Sequence, residues 1–197
     1  MAATSKQQRV VVDKWKKKKE YTIMAPKLVG NVEIGHTVSD KDEKVIGRVT
    51  KANLGQLTNQ FQKKKYDVYF RVNNVQASNA YTEMFALEMK GNFSRRLIGR
   101  RCNKLDMVQF LDTKDGQRLK VKSLCVTRRK IEKVKERDIS RELRKQIGMI
   151  VSKNSSDDVF DLVMNKDVEK DLISKVKNIA EIRGCAILLL KKVNKKK

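Results

Sequence analysis

Lysine and arginine, gathered into short runs, are the side chains of this sequence with the most chemistry to offer, and that chemistry is neutralisation of a polyanion. The runs are Lys14-Trp15-Lys16-Lys17-Lys18-Lys19, then Arg95-Arg96 with Arg100-Arg101, then the alternating Arg118, Lys120 and Lys122, then Arg128-Arg129-Lys130 with Lys133, Lys135 and Arg137. A charge run is most often only a solvated face or tail. Two features argue for more. Trp15 sits inside the first run, where an indole is poorly hydrated in solvent but can stack on a base or a ribose. No acid lies between Gly91 and Leu105, so the four arginines there have no local counter-charge and are free to meet phosphate.

Residues that make or break covalent bonds are not gathered in this way. His36 follows Gly35 with no carboxylate or cysteine at a spacing that suggests a partner, which is the usual situation of a structural histidine. Cys102, Cys125 and Cys185 are odd in number and form no CxxC pair, so neither a disulfide framework nor a zinc ribbon follows from them, and a reducing compartment fits. Arginines beside Cys102 and Cys125 would lower a thiol pKa, but with no histidine near them a core role is the better reading. The acid pairs Asp40/Asp42 and Asp157/Asp158 could hold a magnesium ion, yet neighbouring carboxylates in polar loops are mostly caps and solvated turns. The phosphate-binding, dinucleotide-binding, HExxH and GxSxG motifs are absent from the sequence. The expectation is a protein that is not an enzyme, with no catalytic residue, metal, cofactor or small-molecule substrate.

The overall balance points the same way. Against 46 Lys and Arg stand 23 Asp and Glu, a formal net charge of +23 on 197 residues, far beyond the roughly 2 to 8 charges that keep a small domain soluble. Self-repulsion of that size weakens a compact state, and phosphates both relieve it and release counterions on binding. Nucleic acid is the leading partner class. A membrane surface is the rival, but a membrane-binding helix would gather its charge on one face, and here it is scattered along the chain. Residues 1–9 lack an apolar segment of the kind that directs secretion, and no apolar stretch is long enough to span a bilayer, so no membrane partner and a cytoplasmic location are expected. With 40% hydrophobic residues the chain has material for a core. One α+β domain over residues 20–190 is expected, with a basic arm over 1–19 and a basic tail over 191–197.

The elements that must position the cations are strands first. Tyr21-Thr22-Ile23-Met24, Val32-Glu33-Ile34-Gly35 and Val45-Ile46-Gly47-Arg48-Val49 have strand composition, divided by turn residues, and Pro26 ends the first. Tyr66, Val68, Phe70 and Val72 alternate onto one face. Residues 80–87 can return beside them with Tyr81, Phe85 and Leu87 inward. Asn92 or Ser94 could cap a short helix reaching Cys102. Residues 105–112 and 117–127 flank Asp115-Gly116, a hairpin whose turn would take positive φ at both central residues, with Leu119, Val121, Ser123 and Cys125 inward and the cations outward.

Helices come later. Ile139, Leu143, Ile147 and Ile150 or Val151 form the core stripe of a long one reaching about Lys153, with Arg141, Arg144 and Lys145 on its other face. A second starts after Asn154-Ser155-Ser156 with Asp157 and Asp158 in its first turn and Val159, Phe160 and Val163 on its apolar side. A third covers about 167–179 through Val168, Leu172, Val176 and Ile179. Residues 185–190 then read as a buried strand. The fold class is α+β: a mainly antiparallel, barrel-like body with C-terminal helices, a late strand rejoining the sheet, and basic tails.

Asp13-Lys14-Trp15-Lys16 through Tyr21, then Met24-Ala25-Pro26, Ile34-Gly35, Ile46-Gly47-Arg48 and Leu54 through Leu57, resemble the opening of a ribosomal protein family. It is the archaeal and eukaryotic small-subunit family S-three-a, or S-one-e, unrelated to bacterial S-one. The resemblance continues through Tyr66-Asp67-Val68-Tyr69-Phe70-Arg71-Val72, Asp112-Thr113-Lys114-Asp115-Gly116 and Val126-Thr127-Arg128-Arg129, in order over nearly the whole chain. It implies a structural constituent of the small ribosomal subunit, placed on the platform near the messenger exit. The partners it implies are small-subunit rRNA, neighbouring small-subunit proteins and, near the exit, messenger RNA. The arm from Asp13 to Lys19 and the segment from Thr127 to Arg137 would then face rRNA. Two other readings share the charge: a DNA- or chromatin-binding protein, which should carry a recognition helix or a dimerising element, and an RNA-modifying enzyme, which should carry a cofactor cradle or a catalytic cluster. Neither signature is evident.

Overall fold

Tyr66, Val68, Phe70 and Val72 are all at most 1% exposed and alternate along one face of β4 (Tyr66–Gln76). The computed structural model describes Trp15, residues 17–165 and residues 167–193. Lys14 and Lys16, and the rest of residues 1–13, lie outside the described residues.

Eight strands form one mostly antiparallel sheet: β1 (Lys19–Met24), β2 (Glu33–Ser39), β3 (Val49–Asn53), β4, β5 (Asn79–Met89), β6 (Lys104–Asp112), β7 (Arg118–Thr127) and β8 (Ile182–Val193). The path runs β2-β1-β5-β8-β7-β6, with β3 joined through β4 to β5. β5 is therefore the branch point. One of its edges takes β4 along its whole length; the other takes β1 in parallel at residues 79–81 and β8 at residues 86–88. The late strand rejoins the sheet, as the sequence predicts, and its place is between β5 and β7; it extends through Lys191, Lys192 and Val193, which pair with β7, and residues 194–197 of the expected tail lie outside the described residues.

β5 inverts part of the expected face. Ala80, Thr82, Met84 and Ala86 are buried while Tyr81 is 43% exposed, and only Leu87 of the expected inward set belongs to the core. The cause is a bulge. Tyr69 pairs with Ala86 but Phe70 pairs with Met84, which leaves Phe85 without an opposite residue and switches the alternation on either side of it. Residues 45–49 also depart from expectation. Val45 is buried, but the chain turns there: Val45 N–H returns to Asp42 at 3.0 Å and Gly47 takes φ +85°, so the strand begins only at Val49.

β6 and β7 form the expected hairpin, and Leu119, Val121, Ser123 and Cys125 are buried, but Thr113 N–H donates to Gln117 O at 2.9 Å, so the loop has three residues and the register is one residue from that of a two-residue Asp115-Gly116 turn. Its turn differs in detail. Gly116 alone takes positive φ, and Asp115 instead accepts the Ser156 N–H at 2.9 Å, which ties the hairpin tip to the helices.

The helical layer comprises α1 (Leu54–Leu57), α2 (Gly91–Leu97), α3 (Lys133–Lys153), α4 (Ser156–Met164) and α5 (Asp167–Val176). α2 is shorter than predicted and stops before Ile98, leaving Arg100 and Arg101 in a turn where Arg101 takes φ +57°. In α3 the stripe Ile139, Leu143, Ile147 and Val151 is buried against the sheet, each such side chain contributing about 1.5 to 3 kcal/mol. α4 starts with a capping box: Ser155 Oγ accepts from Asp158 N–H at 3.2 Å, and the Asp158 carboxylate accepts from Ser155 N–H at 3.3 Å. Cys125 and Cys185 face each other across β7 and β8 as free thiols, Cys185 Sγ donating to Cys125 Sγ at 3.1 Å. The Cys185 thiol is pushed up first by its hydrogen bond to Cys125 and then by burial, which suits core packing and not nucleophilic chemistry.

Candidate nucleic-acid interface

Thr127, fully buried at the end of β7, fixes the basic turn that follows it. Its Oγ1 donates to Arg129 O at 2.7 Å and accepts from Asn103 N–H at 2.9 Å, while its own N–H donates to Asn103 O at 3.1 Å. Asn103 Oδ1 accepts from Ile131 N–H at 3.2 Å, and its Nδ2 donates to Glu136 in the first turn of α3. Arg128 N–H donates to Glu181 O at 2.9 Å. The segment carrying Arg128, Arg129 and Lys130 is thus anchored at both ends, and all three side chains are exposed. Preorganised cations lose less entropy on meeting phosphate than cations on a loose loop.

The sheet then brings a second group of arginines to the same end. Val126 pairs with Lys104 on one side and Gly184 on the other, so the turn after α2, the end of β7 and the start of β8 lie side by side. Cys102 Sγ donates to Gly99 O at 2.7 Å and closes that turn. The Arg183 guanidinium lies over Gly99, where a Cβ would stand 2.0 Å from its Nη1. Arg100, Arg101, Arg128, Arg129, Lys130 and Arg183, from three chain segments, converge. α3 begins beside them with Lys133, Lys135 and Arg137 exposed, adding the positive end of its macrodipole. An open cleft of about 420 Å³ between Leu105 and α3 carries Arg137, Arg141 and Arg144 along its wall.

The cationic end contrasts with cations used for folding. Lys51 and Lys90 hold Asp67 at 3.0 and 3.4 Å, Lys65 holds Glu169 at 2.9 Å, and Lys192 holds Asp157 at 3.2 Å. Burial pushes the Asp67 carboxyl up, but hydrogen bonds from Asn53 and Lys51 and the Lys90 charge outweigh it and leave it below the usual carboxylate range. By contrast, none of Arg95, Arg96, Arg100, Arg101, Arg128, Arg129, Lys130, Lys133, Lys135 and Arg137 reaches a carboxylate of the described residues in an ion pair. Arg141 does, at 3.7 Å from Asp138, but both are largely exposed and such a pair is weak. Unneutralised charge held on a folded frame attracts phosphate without reading sequence.

The Ribosomal S3Ae family model matches residues 6–196. The chain belongs to the ribosomal S3Ae family. Over 180 residues this S3Ae chain is 30% identical to the small ribosomal subunit protein eS1 of Methanospirillum hungatei, covering 91% of each chain. It is 35% identical over 152 residues to the protein of that name from Methanopyrus kandleri, which covers 77% of this chain and 70% of the relative. A third such protein, from Desulfurococcus amylolyticus, is 28% identical over 180 residues, or 91% and 84% of the two chains. The resemblance carried by the sequence therefore holds over nearly its whole length.

The S3Ae fold divides the remaining predicted cations. Arg118, Lys120 and Lys122 stand on the outer face of β7, and Arg118 is nine residues from Thr127 at roughly 3.3 Å each, so roughly 30 Å from the cationic end. Trp15, 71% exposed, has Lys18 Nζ 3.5 Å from its ring centroid, and Lys17, Lys18 and Lys19 lie at the entry to β1, beside the end of β2. Lys19 is already the first residue of that strand. Arg183 was not singled out by the sequence, since its place beside Gly99 depends on α2 packing against β8.

The remaining titratable groups have structural partners in this S3Ae fold. His36 Nε2 lies 2.9 Å from Glu33, three residues before it on β2, and its Nδ1 3.7 Å from Glu20 on the paired strand β1, so it does have carboxylate partners, contrary to the expectation from the sequence. Asp40 is bound by Lys44, Asp42 accepts from the Tyr21 hydroxyl, Asp157 holds Lys192 and Asp158 caps α4. Among the described residues no three His, Cys, Asp or Glu side chains group as metal ligands, and no helix is long and apolar enough to cross a membrane.

Proposed function

We propose that this S3Ae protein is a structural constituent of the small ribosomal subunit that binds rRNA electrostatically and catalyses nothing. The observation that carries the reading is the convergence of Arg100, Arg101, Arg128, Arg129, Lys130 and Arg183 at one end of the sheet without carboxylate partners among the described residues. Family membership and relatives named for the small subunit support the setting. Arg95, Arg96, Lys133, Lys135 and Arg137 extend the contact. Lys14 to Lys19 with Trp15 act as an arm, and the folded body between the basic termini holds the geometry. Phosphate contacts position the protein, and rRNA is read by backbone and shape. In the ribosome its place is the platform near the messenger exit, among neighbouring small-subunit proteins and within reach of messenger RNA.

Sucrose-gradient sedimentation of cell extract at low and at high salt tests this. The protein is expected to travel with small subunits at low salt and to resist release until the salt is high. A pool that stays at the top of the gradient at low salt contradicts the reading. Comigration with chromatin favours the DNA-binding alternative.

A further inference from the structure

The hairpin register places Phe110, Lys120 and Lys191 in one row across β6, β7 and β8. Directly opposed residues of an antiparallel pair share a face, so this row stands on the outer side of the sheet, away from buried Leu119 and Val121. The neighbouring row, Val108, Lys122 and Leu189, and Arg118 opposite Val193 share that side. At the β8–β5 boundary the bulge turns Phe85 outward, next to Lys191 and Arg71. The result is an open groove of about 550 Å³ lined by Arg71, Phe85, Phe110, Lys120, Leu189 and Lys191. Lys192 borders it by position, but its ammonium group is bound to Asp157 on the helical side.

The two aromatic rings are set among cations. Arg71 Cζ lies 4.0 Å and Lys191 Nζ 5.2 Å from the Phe85 centroid, and Arg118 Cζ lies 5.8 Å and Lys120 Nζ 5.7 Å from that of Phe110. Phe110 remains 51% exposed. None of Arg71, Arg118, Lys120 and Lys191 forms an ion pair with a carboxylate of the described residues, although Glu83 and Asp112 stand opposite Arg71 and Arg118 in the pairing. Phosphate neutralisation alone accounts for the cations but not for an exposed Phe110 and a half-buried Phe85 beside them. Rings reward a ligand that has flat faces to stack and negative charge at regular intervals between them. A duplex hides its base faces in its own stack, whereas unpaired nucleotides expose them, and a guanidinium plane such as that of Arg71 can extend the pile.

We infer that this outer sheet face binds a short run of unpaired RNA, with bases stacked on Phe85 and Phe110 and phosphates on Arg71, Arg118, Lys120 and Lys191. The inference rests on the RNA-binding reading above and adds a second site, distinct from the cationic end in both place and ligand. Fluorescence anisotropy with the full chain tests it, using labelled oligoadenylate and a labelled RNA duplex of equal length as probes. Phe110→Leu and Phe85→Leu, which keep apolar bulk but cannot stack, are each expected to weaken oligoadenylate binding about tenfold and to leave duplex binding unchanged. Thermal melting followed by circular dichroism confirms that each variant is folded. Unchanged oligoadenylate affinity in both variants overturns the stacking site, as does an equal loss on the two probes. So does displacement of oligoadenylate by polyglutamate of equal charge with no dependence on either ring, which would make the groove a site for acidic protein. If the wild-type chain binds neither RNA, the RNA-binding reading itself falls. If duplex binding persists and only the stacking prediction fails, that reading stands.

Discussion

Replacing Arg128, Arg129 and Lys130 with glutamate is expected to lower the slope of log affinity for small-subunit rRNA against log salt by about 2 to 2.7, or roughly 0.7 to 0.9 for each phosphate no longer neutralised. The three side chains project from a turn whose backbone is held by Thr127, Asn103 and Glu181, so the substitutions alter charge without loosening the frame. Glutamate also places negative charge beside Arg100, Arg101 and Arg183 and draws those cations away from RNA. Binding falls most at low salt, where counterion release contributes most, and the thermal midpoint of the free protein holds or rises as self-repulsion eases. Normal incorporation of the triple variant into subunits, with an unaltered salt slope, would make this end an ordinary solvated surface.

Glu169→Ala is the substitution with the largest expected effect on stability. Glu169 on α5 accepts from the Tyr66 hydroxyl and from Lys65 Nζ, each at 2.9 Å, and so joins the start of β4 to a helix more than a hundred residues later. Its side chain is 16% exposed and that of Lys65 13%. Burial, then the Glu169 charge, pushes the Tyr66 hydroxyl well above the usual phenol range, and the fully buried ring keeps that hydroxyl from water. Removing the carboxylate deprives a buried donor of its acceptor and breaks a largely desolvated ion pair, at a cost of about 3 kcal/mol. Urea denaturation should show a lower midpoint at unchanged slope, with a smaller shift for Glu169→Gln, which keeps an acceptor. The salt slope of rRNA binding should not move, because Glu169 touches none of the cations at the cationic end. A midpoint equal to the wild type would mean that α5 is not fastened to β4 through this group.

Where one face of an element meets one core, its residues reveal it. Tyr66, Val68, Phe70 and Val72 alternate, Ile139, Leu143, Ile147 and Val151 recur at helical spacing, and both patterns match the burial found. Ser155 with Asp158 identifies the start of α4 because capping is local chemistry. The reading fails where a distant partner or a backbone state decides. Phe85 looks like an inward strand residue, and only its register with Tyr69 and Phe70 turns it out. Val45-Ile46-Gly47 has strand composition, but Gly47 takes a positive φ that ends any strand there.

The candidate site divides in the same way. Its cations stand out as runs in the chain, and those between Gly91 and Leu105 have no acid among them, while Lys133, Lys135 and Arg137 alternate with Glu132, Glu136 and Asp138. Their convergence does not stand out, because β7 must pair with β8 some sixty residues later before Arg128 and Arg183 become neighbours. Phe110 was hidden by the turn: with Asp115 and Gly116 alone as the loop, Phe110 would stand opposite buried Val121, and only the three-residue loop of Lys114, Asp115 and Gly116 shifts the register by one and sets it opposite Lys120.

Hydroxyl-radical footprinting of rRNA in small subunits carrying the wild-type protein or the Arg128, Arg129 and Lys130 variant tests the electrostatic grip most directly. The account predicts ribose-backbone protection along a continuous stretch of rRNA that requires the wild-type cations and disappears in the variant. An identical cleavage pattern with either protein, or with none bound, would contradict it.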